Sequence, residues 1–145
     1  MADALTAPHI LEYPYTRSVG PVLGAFFGAL KERRILGVRT ADGRVLVPPQ
    51  EYDPETGAAL DELVEVADAG VVTTWAWVAE PRPKHPLQEP FAFALVRLDG
   101  ADTALLHAVA APAMDAMATG MRVRARWRDE RSGDITDIVC FEPAP

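Results

Sequence analysis

The sequence predicts a mainly β protein in which an N-terminal helix and a ribbon-like hairpin segment precede a five-stranded barrel. Three observations indicate this: an apolar stripe at helical spacing after Pro21, an Asp-Gly turn between apolar runs, and alternating apolar residues after Gly70. A chain of 145 residues can bury about 70% of its unfolded surface, enough for one well-formed core. We divide it into an arm at 1–20, a helix and ribbon-like segment at 21–66, and a barrel at 67–145.

The helix is predicted to begin at Pro21, because a proline at the first helical position has no N–H that needs a partner. Before it, Tyr13-Pro14-Tyr15 indicates an extended arm. The residues 31–34 are expected to close the helix, since basic side chains suit its negative end. The stripe consists of Val22, Leu23, Phe26, Phe27 and Leu30. Because it holds two phenylalanines, it packs either on the chain's own core or in a partner's groove.

The next segment has the turn spacing of a zinc ribbon without its metal ligands. A hairpin is predicted from 35–39 and 44–47, followed by a second turn at 53–57 and a strand or connecting segment at 60–66. A zinc ribbon holds its metal with two Cys-x-x-Cys knuckles. Other residues occupy all four ligand positions here: Arg39, Asp42, Asp53 and Thr56. We therefore predict a degenerate, metal-free ribbon.

The rest of the chain alternates like a small barrel. Strands are predicted at 70–78, 91–98, 103–109, 121–128 and 135–142, with a Pro-rich loop at 80–90 and a short helix at 112–119. Three strands, a helix and two strands is the order of an OB-fold, although other small barrels also have five strands. The predicted interior set is Ala92, Ala94, Val96 and Leu98. This places Phe91, Phe93 and Leu95 outside, under the N-terminal helix or against another subunit.

No residue pattern indicates a catalytic centre. His9, His85 and His107 lack a metal-ligand or nucleophile partner at recognisable spacing, and His107 suits a hydrogen-bonded structural role. The sequence has no Gly-rich phosphate loop and no Gly-x-Ser-x-Gly elbow. The single cysteine, Cys140, excludes an intrachain disulfide and is predicted to be buried. We therefore do not expect the chain to be an enzyme by itself.

Charge and hydropathy exclude further classes. A net charge of −7 argues against nucleic acid as the partner. No apolar run approaches the roughly 20 residues of a membrane span, and the N-terminus has no signal-peptide pattern, so we expect a cytoplasmic protein.

Three sets of residues could form binding surfaces. The first is aromatic and contains Trp75, Trp77, Phe91 and Phe93. The second is the cluster Arg82, Lys84 and His85 in the Pro-rich loop. The third is an arginine ladder on one strand: Arg122, Arg124, Arg126 and Arg128. Each basic set is either a solvated face or a docking site for an anion, such as the phosphates of coenzyme A or an acidic partner surface.

The order of several short segments resembles one protein family. They are Tyr13-x-Tyr15-x-Arg17-Ser18-x-Gly20-Pro21, the metal-free ribbon, Gly70-Val71-Val72-Thr73, Phe91 to Gly100, Gly120-Met121-Arg122-Val123 and Phe141-Glu142-Pro143. The pattern is similar to acyl-CoA-associated proteins that join a helix and a rubredoxin-like zinc ribbon to an OB-fold. The resembling subgroup accompanies thiolase-like lipid-transfer proteins in actinobacterial sterol side-chain degradation.

The resemblance implies a non-catalytic accessory subunit of a hetero-oligomeric complex. The thiolase-like partner would cleave a coenzyme A thioester by retro-aldol or thiolytic chemistry, with acyl-CoA as the ligand of the complex and no cofactor bound by this chain. Taken without the resemblance, the residues also allow a stand-alone ligand- or single-strand-binding OB-fold that stacks on Trp75, Trp77 and Phe91. A small hydratase or thioesterase is disfavoured because the chain has no acid–base pair.

Overall fold

Within residues 3–145, which the computed structural model describes, the chain has one α-helix and two β-sheets. Helix α1 spans Pro21–Leu30. The first sheet contains β1 Ile35–Arg39, β2 Val45–Leu46 and β3 Leu63–Val66. The barrel contains β4 Ala69–Val78, β5 Phe91–Leu98, β6 Leu105–Val109, β7 Arg122–Trp127 and β8 Ile138–Pro143. None of the helices in this part of the chain has the length and apolarity needed to cross a membrane.

Helix α1 is shorter than predicted. It ends at Leu30, and Arg33 then adopts a left-handed conformation with φ 59°. The N–H of Arg34 donates to the carbonyl of Ala29, at 3.0 Å, which turns the chain directly into β1. The prediction that residues 31–34 form the last helical turn is therefore wrong. The apolar stripe packs on the chain itself, because Phe26 and Leu30 belong to the same buried cluster as the barrel interior.

The ribbon-like segment forms a three-stranded antiparallel sheet in the order β2-β1-β3. Gly43 adopts a positive φ of 89° in the predicted hairpin turn. The outer edge of β2 faces the turn between β5 and β6. There Asp102 Oδ2 accepts the N–H of Val45 at 2.8 Å, and Thr103 Oγ1 accepts the N–H of Val47 at 2.7 Å. These side chains accept the N–H groups at the free edge of the strand and attach the small sheet to the barrel.

The barrel is closed in the order β4-β5-β6-β8-β7, with β6 and β8 parallel and the other pairs antiparallel. This is the predicted OB-fold arrangement. The predicted interior set is confirmed, since all four of its residues are at most 1% exposed. Its alanines leave room for large neighbours, because Trp77 pairs with Ala92 and Trp75 pairs with Ala94.

Two predicted segments are shorter or different. The helix predicted at 112–119 is one turn of 3₁₀-helix at Met114–Ala116, because Ala113 and Met117 on either side of it adopt extended backbone. The last strand begins at Ile138, after a 3₁₀ turn at Ile135–Asp137.

A β-bulge changes which side chains of β4 face inwards. The register between β4 and β5 shifts between Val72 and Thr74. Val72 and Trp75 therefore both face the interior, and the Thr73 hydroxyl donates to the carbonyl of Leu95 at 3.1 Å. A strictly alternating strand would instead place Thr73 on the same face as Trp75 and Trp77.

Candidate functional site

The Pro-rich loop between β4 and β5 covers the outer face of the barrel. Its His85 ring lies edge-on to Phe91 and Phe93, with ring centroids 5.7 and 5.8 Å apart. The N–H of Arg82 donates to His85 Nδ1 at 3.1 Å, which holds the imidazole in place. Phe91 is fully buried under this loop and Phe93 is half-buried. The N-terminal helix, one of the two covers expected for these rings, does not cover them.

The four aromatic residues of the predicted binding surface do not form one surface. Trp75 and Trp77 face the barrel interior and are half-buried, whereas Phe91 and Phe93 lie on the outer face. Residues that alternate along paired strands project to opposite faces of the sheet. A platform on which bases stack in succession across Trp75, Trp77 and Phe91 is therefore absent.

The outer face also contains the only cysteine of the chain. Cys140 is fully buried in a small cluster with Phe91 and Ala108. Burial raises the pKa of its thiol. A thiol that is buried and protonated is a poor nucleophile and a poor metal ligand, as the sequence predicted for a structural cysteine.

The basic residues of the Pro-rich loop lie at the surface above these buried rings. Arg82 and Lys84 are exposed, and Gln88 Nε2 donates to the carbonyl of His85 at 3.2 Å to close the loop. Within residues 3–145, no carboxylate lies within salt-bridge distance of either cation. The loop therefore presents two free positive charges at one end of the barrel.

A cleft of about 260 Å³ lies beside this loop, where β6 and β8 diverge. The two strands pair only at Val109 and Phe141 among the described residues. The cleft has apolar walls from Phe93, Leu106, Ile135 and Val139, with Pro86 of the loop and Arg128 at its edge. Sequence reasoning missed it. The signal in the sequence was the pair of adjacent leucines, Leu105 and Leu106, because neighbours in a strand point to opposite faces. Leu105 is buried, and Leu106 is 62% exposed.

His107 also lines this cleft. It pairs with Ala94 across the barrel strands, and its ring centroid lies 5.5 Å from that of Phe141. Its Nδ1 accepts the N–H of Ala108 at 2.9 Å. Burial lowers the pKa of His107, and hydrogen bonding with the backbone of Ile135 offsets this only in part. The ring is therefore neutral near pH 7 and fills a structural role, as the sequence predicted.

The four former ligand positions of the ribbon are used for hydrogen bonds and ion pairs. Arg39 pairs with Glu62 at 3.0 Å, and the buried Asp53 accepts the N–H groups of Glu55 and Thr56. Asp42 accepts hydrogen bonds from Thr40 and from Arg44, which lower the pKa of its carboxyl.

Arg44 connects the two turns directly, since it lies 2.9 Å from Asp42 and 3.2 Å from Glu55. Two arginines beside the former ligand positions would repel a cation. Among the residues described, no group of three His, Cys, Asp or Glu side chains is placed to hold a metal. The donor set does not fit zinc.

The arginine ladder is largely a solvated face. Arg122 makes a bidentate pair with Asp99 at 2.8 and 2.6 Å, and Arg126 lies 3.5 Å from Glu142. Both pairs are about half-exposed, so each contributes little stability. Arg128 differs from these two because it lies at the edge of the apolar cleft.

Residues 63–128 match the family profile of the ChsH2 C-terminal OB-fold domain. Among solved structures, the chain is similar to one titled Ltp2-ChsH2(DUF35) aldolase, with 26% identity, a TM-score of 0.64, and coverage of 90% of this chain and 100% of that one. The chain is also similar to a DUF35-family protein of unknown function from Sulfolobus solfataricus, with 21% identity and a TM-score of 0.63. That similarity covers 86% of this chain and 83% of the other, and it supports the fold alone. Comparison with curated proteins gives no match. The resemblance seen in the sequence is therefore confirmed: across residues 63–128 this chain is similar to the ChsH2 C-terminal OB-fold family.

Proposed function

We propose that this chain is the accessory subunit of a thiolase-like, acyl-CoA-processing complex. The similarity to the chain in the Ltp2-ChsH2(DUF35) aldolase carries the proposal, because it extends over 100% of that chain and 90% of this one, which is more than the barrel alone. In the proposed complex the partner cleaves a carbon–carbon bond of a coenzyme A thioester by aldolase or thiolase chemistry. Sterol side-chain or lipid degradation is the setting that the sequence resemblance favours.

The chemistry of the proposed complex belongs to the partner. His85 packs against two phenylalanines, His107 is hydrogen-bonded and neutral, and Cys140 is buried. A general base needs an accessible lone pair within hydrogen-bond reach of the substrate. None of these three groups offers one in the part of the chain that the structure describes. This chain would stabilise the partner and shape the approach of the acyl-CoA.

Arg82 and Lys84 are the residues that we propose for coenzyme A. Both cations are exposed and without a carboxylate partner within residues 3–145, and they lie on a loop at the end of the barrel. Guanidinium and ammonium groups bind phosphates by charge-assisted hydrogen bonds. In OB-folds the corresponding loop and the adjacent strand face commonly bind ligands. We also propose that this chain binds no cofactor of its own.

Co-purification tests the proposal. The full chain, carrying an affinity tag, is expressed in its native host, and the captured proteins are identified by mass spectrometry. We expect a thiolase-like lipid-transfer protein in stoichiometric amount, and cleavage of a coenzyme A thioester that requires both chains. A chain that remains a monomer and captures no thiolase-like protein, together with a co-encoded thiolase-like protein that is fully active alone, would overturn it.

A further inference from the structure

The N-terminal arm, defined as residues 3–19, lies entirely on the outside of the molecule. It has no helix or strand, and each of its residues is exposed. Its large apolar side chains are between 51% and 101% exposed: Leu5, Ile10, Leu11, Tyr13, Tyr15 and Val19. Single exposed apolar residues are ordinary on soluble proteins, but a concentration of them in one segment marks an interaction site.

The root of the arm is held in a fixed position. The arm joins α1 at Gly20, where Glu51 Oε1 accepts the N–H groups of Val22 at 3.0 Å and Leu23 at 3.2 Å. The next residue after Glu51 is Tyr52, whose side chain is 63% exposed. The arm therefore leaves the molecule at a point that hydrogen bonds hold in place.

The sequence of the arm favours an extended conformation. Pro8 and Pro14 fix their own φ and restrict the residue before each of them to extended backbone. In an extended segment alternate side chains share a side, which places Leu11, Tyr13 and Tyr15 together. Extended peptides of this kind are recognised by strand addition or by apolar grooves, with pockets for alternate side chains.

We propose that the N-terminal arm docks in an apolar groove of the thiolase-like partner and becomes ordered there. This inference rests on the proposed function and assigns the part of the chain that makes the contact. Two tyrosines alone can bury about 300–500 Å². That is around half of the roughly 800 Å² per partner that a stable interface needs. The groove on the partner is apolar with sites for two aromatic rings.

The arm is expected to bind the thiolase-like partner rather than a second copy of this chain. Each copy carries a net charge of −7, which opposes association between copies. The arm itself has little charge to overcome, since Asp3, Glu12 and Arg17 are its only charged residues. The Ltp2-ChsH2(DUF35) aldolase contains a chain that this one covers over its full length, which supports a partner surface for a chain of this fold.

The test compares three forms of the full chain for binding to the thiolase-like partner. They are the wild type, the double variant Tyr13→Ser/Tyr15→Ser, and the matched control Thr6→Ser/Thr16→Ser, which changes two exposed arm residues and removes only one methyl group at each. We expect the tyrosine variant to raise the dissociation constant at least about tenfold, and the control to leave it unchanged. Both variants should unfold at the wild-type denaturant concentration, because these residues pack against nothing in the isolated chain. On binding, amide hydrogen exchange in residues 3–19 should slow in the wild type.

The outcomes separate this inference from the proposed function. If the wild type binds and the tyrosine variant binds equally well, the arm inference alone fails. If the wild type does not bind a thiolase-like partner, the proposed function fails and the inference fails with it. If the wild type self-associates through Tyr13 and Tyr15 instead, the arm binds a second copy of this chain and the inference is overturned.

Discussion

The carboxylate of Glu51 caps helix α1 by accepting the backbone N–H of Val22 at 3.0 Å, although 29 positions separate the two residues. The N-cap position is occupied by Gly20, which has no side chain to provide the bond, and the first turn of the helix contains no acidic residue. Glu51 supplies both the hydrogen bond and the negative charge that the positive end of the helix dipole favours. The helix and the loop after β2 are therefore stabilised together.

We expect Glu51→Ala to lower the free energy of unfolding by about 1 kcal/mol, the typical cost of losing a cap. Gly20→Ala should have a similar effect, because an added methyl group would overlap the Glu51 carboxylate and displace it. Gln50→Ala, at an exposed neighbouring position, is the control and should change little. Denaturant unfolding measures all three. Equal midpoints for Glu51→Ala and the wild type would show that the cap contributes nothing.

Gly70 is expected to be the least replaceable glycine of the barrel. A Cβ at this position would lie 2.7 Å from the Leu98 Cα and would also overlap the Arg97 carbonyl, and both belong to backbone that cannot rotate away. Gly70→Ala should destabilise the protein by about 1–3 kcal/mol. Gly28→Ala is the control, since it lies in a helix with free space around it and should stabilise by about 0.5–1 kcal/mol. Thermal unfolding measures both variants, and melting temperatures that shift in the same direction from the wild type would contradict this account.

Asp137 gives the protein an acid-sensitive contribution to stability. Burial opposes ionisation of its carboxyl, but N–H donors from Ser132, Gly133 and Asp134, with the charge of Arg128, outweigh burial and lower the pKa. The unfolded carboxyl titrates near pKa ~3.9, so the unfolded chain binds more protons between that value and the folded pKa. The stabilisation is complete above about pH 4 and is lost as the pH falls through the folded value.

We therefore expect Asp137→Asn to cost about 1.5–3 kcal/mol at pH 7, with a smaller difference from the wild type at pH 3. Urea unfolding at the two pH values measures this, and Asp115→Asn, on the exposed 3₁₀ turn, is the matched control. A cost for Asp137→Asn that is the same at both pH values would show that its charge is unimportant.

The ribbon should hold no zinc. Elemental analysis after dialysis against a chelator should find far less than one zinc per chain, and the chelator should not change the melting temperature. In small zinc modules the metal contributes roughly 10 kcal/mol, so its absence must be offset by packing. Here Val45 and Val47 belong to the same buried cluster as the barrel interior. One tightly bound zinc per chain would refute the prediction.

In the assembled complex, the histidines and the basic loop should affect turnover differently. His85→Ala and His107→Gln should leave kcat within about tenfold, below the 10²–10⁴-fold loss expected for a general acid or base. Neutralising Arg82 and Lys84 together should raise KM for the coenzyme A thioester and leave kcat nearly unchanged. Arg124→Ala, on an exposed strand face, is the charge control. A thousandfold loss of kcat from either histidine change, with the complex intact, would assign catalysis to this chain.

The order of strands and the barrel interior could be predicted from the sequence because alternation is a local signal. Val96 and Leu98 are buried, as expected for the two residues that flank a charged Arg97 in an alternating strand. The errors arose where a distant contact decides local structure. At the bulge Thr73 has no strand partner and Thr74 pairs with Leu95 instead, which only the register against β5 decides.

The candidate site was less predictable than the fold. Arg82, Lys84 and His85 were identified because they are adjacent in the sequence, but the packing of His85 on Phe91 depends on how the loop folds back. The cleft beside it depends on the divergence of β6 and β8, and no local pattern specifies where two distant strands separate.

Burial of Cys140 has a practical consequence for experiments on the arm. Its thiol is enclosed and its pKa is raised, so alkylating reagents should react with it slowly while the protein is folded. A cysteine introduced at an exposed arm position, for example Thr16→Cys, would then be the single fast-reacting thiol of the molecule. A fluorophore attached there would report the distance between the arm and a labelled partner without any need to remove the native cysteine.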